Sequence, residues 1–166
     1  MSRRAYVGLG ANLGDALATL RRAAEQVASW SDARNVQASS LYRSAPVDAG
    51  GPDYWNAVLA FDTDASPLVL LQRLQDIERQ HGRERPFHHA PRTLDLDLLA
   101  LGELTHADEQ LLLPHPRLHQ RAFVLLPLLE LASGLALPGL GELECFVHSV
   151  ADQRIERSPL QLFSSK

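Results

Sequence analysis

At 166 residues, 45% of them hydrophobic and 22% charged, the chain has apolar material for one domain with a proper core. A net charge of −4 offers no overall attraction for nucleic acid or an anionic membrane. The single cysteine, Cys145, excludes a disulfide framework and a Cys-clustered metal site, which fits a reducing, cytoplasmic setting.

The strand Ala5–Leu9 runs into a glycine-rich turn, Gly8-Leu-Gly-Ala-Asn-Leu-Gly14. Asp15 then caps a helix with Leu17, Leu20, Ala24 and Val27 at helical spacing. A second strand is expected over Asn35–Arg43, then a loop, Ser44–Asp53, with two prolines and two glycines, and a third strand over Trp55–Phe61. Ser66-Pro67 starts a second helix whose buried face reads as Leu68, Leu71, Leu74 and Ile77, up to a stop at Gly82. The polar, proline-broken loop Arg83–Arg92 leads into a strand over Thr93–Leu101. Beyond it are a short piece near Leu111–Leu113, a helix from about Leu118 to Ala132, and a tail from Glu142 that reads as helical before it frays. The order β-α-β-β-α-β is that of a ferredoxin-like α+β domain, two helices on one face of an antiparallel sheet.

The arginines at the N-terminus run straight into glycines, with no signal-like apolar region after them. The leucine-rich stretch Leu125–Leu143 is broken by Pro127, Glu130, Gly134, Pro138 and Gly139. A soluble protein is therefore expected. The one lysine, Lys166, excludes P-loop, protein-kinase and Schiff-base lysine chemistry. Any phosphate must then be met by arginine, whose fork binds phosphate oxygens bidentately.

The sharpest chemical signal is Arg92-Thr-Leu-Asp95-Leu-Asp97. A strand repeats every two residues, so Asp95 and Asp97 share a face with Cα atoms roughly 6.5–7 Å apart, while Leu94, Leu96 and Leu98 turn to the core. Adjacent carboxylates repel, and a divalent cation offsets them; magnesium takes one or two carboxylates and completes its shell with water and phosphates. By itself Asp-x-Asp reads equally well as two solvated acids on an edge strand. Arg92 and the cluster Arg83/Arg85 just upstream shift the balance to phosphate chemistry, since a long polar loop beside a metal site suits closure over a polyphosphate. His88-His89 reads as exposed loop rather than metal ligands. Pro114 and Pro116 argue against a helical zinc pair at His115 and His119, which leaves a polar wall of a nucleotide site. The glycine turn lacks dinucleotide spacing and a phosphate-loop lysine, so it reads as a plain strand-to-helix turn. Tyr54 and Asn56 share a strand face, an aromatic ring and an amide able to grip a flat heterocycle, with Trp55 turned to the core.

Together these segments resemble the 6-hydroxymethyl-7,8-dihydropterin pyrophosphokinase family. The resemblance rests on Gly8-Leu-Gly-Ala-Asn-Leu-Gly-Asp15, Ser40-Leu-Tyr-Arg-Ser44, Pro52-Asp-Tyr-x-Asn-Ala57, Ile77-Glu78 with Gly82-Arg83, Pro91-Arg-Thr-Leu-Asp-Leu-Asp97, Leu113-Pro-His115 and Arg121-x-Phe123, in the family's order. It implies transfer of pyrophosphate from ATP to the pterin's hydroxymethyl group, leaving AMP, in folate biosynthesis. Asp95 and Asp97 would hold two magnesium ions, one bridging the α- and β-phosphates and one the β- and γ-phosphates. Arg83 and Arg92 would bind ATP and stabilise the departing charge. Gln75, Glu78, Arg85, His89, Leu98, His115 and Arg121 match further ATP positions. Ser44, Ala45, Val47, Tyr54, Asn56, Asp95 and Phe123 match the pterin site, whereas Arg117 matches no substrate position. A monomer acting on small molecules, without nucleic acid or membrane, is implied. The chain departs from the commoner pattern in having His88-His89-Ala90 where many members have Arg-Trp-Gly, Pro116 for a frequent tyrosine and Ala11 for serine.

A nucleotidyltransferase also uses a strand Asp-x-Asp, but its Gly-Ser turn lies about a dozen residues before the acids, and here Gly10 and Asp95 are far apart. A ferredoxin-like sensor module explains the fold but not the convergence of acids and arginines.

Overall fold

The computed structural model describes residues 2–46, 51–82 and 94–163. β1 (Arg3–Ala11) runs straight through Gly8 and Gly10, so the turn expected over 8–14 is confined to residues 12–14. Gly14 supplies its positive φ of 60°. Asp15 then caps α1 (Ala16–Ala28) by accepting the Ala18 N–H. The buried face of α1 is Ala16, Leu20, Ala23, Ala24 and Val27, with Leu17 at its rim.

In place of one strand over 35–43 there are two, β2 (Arg34–Ala38) and β3 (Ser40–Ser44), both antiparallel to β4 (Tyr54–Thr63). The break is at buried Ser39. Its N–H donates to the Val58 carbonyl at 2.9 Å, and its Oγ accepts the Val58 N–H at 2.9 Å. The hydroxyl thus replaces a ladder partner where the strand is interrupted.

α2 (Pro67–Gln80) starts at Ser66, whose side chain accepts the Val69 N–H, and ends before Gly82 at φ 84°. Its buried face is Leu70, Leu74, Ile77 and Glu78. Leu68, expected inside, is 43% exposed. β5 (Asp95–Leu101) completes the set on which the sequence reading rested.

The main sheet has the order β10 (Ile155–Gln161)-β3-β4-β1-β5, with β2 also on β4. The two expected helices share one face, and a third lies on the other. Val7, Leu9, Ala57, Leu59, Phe61, Leu96 and Leu98 pack with α1 and α2. Tyr6, Val58, Ala60, Leu99 and Ala100 pack with a third helix, α3 (Ala122–Leu131), on the other side. Covering both faces explains why β4 is buried almost throughout instead of alternating.

Past β5 come the hairpin β6 (His106–Ala107) with β7 (Leu112–Leu113), a 3-10 turn at Leu118–Gln120, and α3. The single helix expected from 118 to 132 is broken at Arg121, whose backbone is extended at φ −121°, ψ 116°. A second hairpin, β8 (Ala136–Leu137) with β9 (Gly141–Glu142), is followed by 3-10 turns at Leu143–Phe146 and His148–Val150.

The tail then forms β10 (Ile155–Gln161), antiparallel to β3, where a helical extension was expected. Pro159 is tolerated because β10 is the sheet's edge, and the register shifts across it between Arg157 and Gln161. Arg157 reaches Glu130 of α3 at 3.3 Å, and the same carboxylate accepts the Tyr42 hydroxyl at 2.7 Å, tying β10, β3 and α3 together. Burial and that carboxylate both hold the Tyr42 phenol far above its ordinary range. Among the described residues no helix is long and apolar enough to cross a membrane.

Ser39→Ala leaves the buried Val58 N–H without its side-chain acceptor, a loss of about 1–3 kcal/mol. Urea unfolding of the two proteins checks it. A loss below about 0.5 kcal/mol, the range of an inert substitution, means that the hydroxyl does not hold the strand break together.

Candidate active site

The site begins with β5. Leu94, Leu96 and Leu98 are buried against α1 and α2, while Asp95 and Asp97 are half-buried on the opposite face, as the alternation requires. The alternation breaks after Leu99, so that Leu99 and Ala100 both pack on the α3 side, because Tyr6 pairs with Ala100 and Val7 with Leu98. The bulged Leu99 has no partner on β1, and its carbonyl accepts the His115 N–H at 2.8 Å. The loop after β7 is thereby fixed beside the two acids.

Across the sheet, Asp95 stands opposite Gly10 of β1, which in turn stands opposite Asn56 of β4. Asn56 is buried and donates from Nδ2 to Ser44 Oγ at 2.8 Å. Its Oδ1 lies over Gly10, where an added Cβ would come within 3.3 Å. The glycine that looked like part of a turn is therefore a close-approach position that leaves room for the amide.

These rows form the floor of a cleft of about 970 Å³, at the upper end of the size range of small-molecule sites. Ser44, Ala45, Tyr54 and Asn56 form one side of it, and Asp95 and Asp97 the other. Phe123, at the start of α3, closes it from above. Arg121 stacks on Phe123, with its guanidinium 5.7 Å from the ring centroid. Arg117 and Arg154 line the same cleft, so it carries cations as well as the two acids.

His115 sits between the two signs of charge. Burial pushes its pKa below the usual histidine value and Arg121 adds to that, while Asp95 works in the opposite direction. The net effect keeps the imidazole neutral near pH 7. Its Nδ1 accepts the Arg117 N–H at 3.1 Å, so the other ring nitrogen carries the proton. His119, read with it as a polar wall, instead packs edge-on against Phe146, with centroids 4.8 Å apart.

Among the described residues no group of three or more His, Cys, Asp or Glu side chains could hold a metal. Asp95 and Asp97 offer two carboxylates on one strand face. That donor set fits magnesium, which needs only one or two protein oxygens, and does not fit a closed zinc site.

The structure brings Ser44, Ala45, Tyr54, Asn56, Asp95, Asp97, Arg121 and Phe123 to one cleft. Glu78 lies elsewhere: it is buried on α2, and its Oε2 accepts the Leu96 N–H at 2.9 Å, which docks α2 against β5. Gln75 is half-buried just before it on α2. The Leu98 side chain is in the core, so only its main chain is available to a nucleotide. Val47, Arg83, Arg85, His89 and Arg92 lie outside the described residues.

Arg117, Gln120, Gln153, Arg154 and Ile155 were not among the expected site residues, yet all line the cleft. For Arg117 and Gln120 the signal was present in the arginine-rich stretch before Phe123. For residues 153–155 there was none, since their position depends on the return of β10 to β3.

A model of the 7,8-dihydro-6-hydroxymethylpterin-pyrophosphokinase family matches residues 6–133. The chain is 40% identical over 152 residues to the 2-amino-4-hydroxy-6-hydroxymethyldihydropteridine pyrophosphokinase of Haemophilus influenzae, covering 91% of this chain and 95% of that one. It is also 40% identical over 160 residues to the enzyme of that name from Pseudomonas aeruginosa, covering 96% and 99%. Among solved structures, wild-type Plasmodium falciparum HPPK-DHPS with SDX-DHP superposes with a TM-score of 0.72 at 14% identity. That match covers 89% of this chain, which spans 44% of the longer Plasmodium chain. Sequence likeness along almost the whole chain and this likeness of fold agree, and the chain belongs to the 7,8-dihydro-6-hydroxymethylpterin-pyrophosphokinase family.

Proposed function

We propose that this chain transfers a pyrophosphoryl group from ATP to the hydroxymethyl oxygen of 6-hydroxymethyl-7,8-dihydropterin, giving AMP and the pterin diphosphate, a step in folate biosynthesis. The observation that carries the reading is the convergence of Tyr54, Asn56 and Phe123 with Asp95 and Asp97 on one cleft. A flat pterin ring fits between the two aromatic side chains, and the Asn56 amide, fixed by Ser44, recognises its polar edge. Because that amide is buried, a ring lacking the matching group would leave it unpaired, which is how such sites reject analogues.

In the transfer, the hydroxymethyl oxygen bonds to the β-phosphorus and its proton passes to solvent. The bond from that phosphorus to the α–β bridging oxygen breaks, and its electron pair leaves with AMP. Asp95 and Asp97 would hold two magnesium ions, whose charge neutralises the polyphosphate and polarises its oxygens. Arg121 on the cleft wall, with Arg83, Arg85, His89 and Arg92 from the segment before β5, is assigned to the phosphates and the nucleotide. Gln75, His115 and the Leu98 main chain are assigned to the nucleotide half, with Glu78 acting from behind β5 through its bond to Leu96, and Ser44, Ala45 and Val47 are assigned to the pterin half. The ferredoxin-like strand order suits this division, with nucleotide at the outer edge of β5 and pterin over β1 and β4. We read residues 1–166 as one cytoplasmic domain working as a monomer on small molecules alone.

Incubation with ATP, magnesium and the reduced hydroxymethylpterin, followed by separation of the nucleotides, should yield AMP. ADP instead would make the protein an ordinary kinase. Asp95→Ala and Asp97→Ala should each lower turnover at least about 100-fold while leaving a folded circular-dichroism spectrum. Near-normal turnover in either variant is incompatible with the metal assignment.

Arg92→Ala and Arg83→Ala should each reduce kcat by about 10²–10³ while weakening ATP binding less, because the charge they meet develops during transfer. Lysine at either position should restore only part of the loss, since it keeps the charge but not the fork. A loss in ATP affinity with kcat unchanged would mean simple ground-state binding.

A further inference from the structure

Gln153 lies beyond the residues that match the family model, and its side chain makes two hydrogen bonds to main chain far from it in sequence. Oε1 accepts the Ala122 N–H at 2.7 Å, and Nε2 donates to the Gln120 carbonyl at 2.8 Å. The two groups flank Arg121, the extended residue where the 3-10 turn gives way to α3. No side chain of Arg121 caps that helix, and the Ala122 N–H is among the donors that a helix start leaves unpaired. Gln153 supplies the missing cap from 31 residues away.

The backbone held in this way carries Arg121 on one side and Phe123 on the other, and both face the cleft. Arg154 and Ile155, which follow Gln153, form part of the same wall. Ile155 is itself fixed by pairing with Ser44, the hydroxyl that holds Asn56. The tail therefore reaches the pterin half of the cleft from above, through α3, and from the side, through β3.

We propose that Gln153 is a positioning residue for the pterin, fixing the Phe123 ring before substrate arrives. This rests on the reading of the cleft as a pterin site. Without the clamp, the first turn of α3 is free to fray, and the pterin must order it on binding. The cost falls on pterin affinity rather than on the chemistry.

Binding of 6-hydroxymethylpterin is measured by calorimetry for the full-length chain and for Gln153→Ala and Gln153→Glu, with melting temperature and kcat at saturation recorded for each. Gln153→Ala should raise the pterin Kd about tenfold and leave kcat within about twofold. Gln153→Glu, which keeps the acceptor for Ala122 but cannot donate to Gln120, should lie between. Val27→Ala, a core truncation on α1 across the sheet, serves as the stability control. It should lower the melting temperature without changing pterin affinity.

The proposal is overturned if both Gln153 variants bind pterin as the unaltered chain does, or if Val27→Ala weakens pterin equally. It is also overturned if the unaltered chain binds no pterin, a result that would remove the pterin reading of the cleft as well.

Discussion

The cleft depends on the register of β5. Because strand side chains alternate, the burial of Leu94, Leu96 and Leu98 against α1 and α2 forces Asp95 and Asp97 to the opposite face. A slip of one residue would carry two carboxylates into the core and three leucines into the cleft. Each buried leucine is worth about 1.5–3 kcal/mol, so the hydrophobic face sets the register that the acidic face needs. Glu78 reinforces it by accepting the Leu96 N–H, which pins the strand to α2 between the two acids. The repulsion between the carboxylates is thus sustained by packing on the far side of the sheet.

The same logic explains the two glycines of β1. Gly8 stands opposite Asp97 and Gly10 opposite Asp95, so the strand beside the acids carries no side chains on the cleft face. Gly10 also leaves the space into which the Asn56 amide projects. Glycine in a strand weakens it, and here the loss is offset by pairing on both sides, with β4 and β5. The floor of the cleft is bare backbone, bounded by acids on one strand and an amide on the other.

Much of this was legible in the sequence because it is local. The Asp-x-Asp alternation, the Asp15 and Ser66 caps and the shared face of Tyr54 and Asn56 follow from a few consecutive residues, and each is found in the structure. What failed depended on distant partners. Leu68 lies in the first turn of α2, where helical spacing alone does not distinguish it from buried Leu70. The helix expected from 118 to 132 breaks at Arg121 because Gln153 satisfies the backbone there. The tail has Ser, Pro and charged residues in a pattern without helical or strand periodicity, and it becomes a strand because β3 offers an edge. The placement of α3 on the second face was hidden for the same reason. β4 reads as a continuous apolar run, which signals two covered faces without saying what covers them.

Covering the second face with only one helix is what leaves room for a site. α1 and α2 together seal one side of the sheet, whereas α3 packs over β3 and β4 and leaves the cleft face of β1 and β5 open. The open part is where the ladder carries glycines and carboxylates, residues that contribute little to a core. Arg117, Arg121 and Arg154 line the cleft, contributed by a loop, a helix start and the returning tail. Cations held on three separate segments can converge on a polyanion from different directions, while each avoids the cost of burial beside the others. The division of the sheet into a sealed face and a partly covered one therefore separates the work of folding from that of binding.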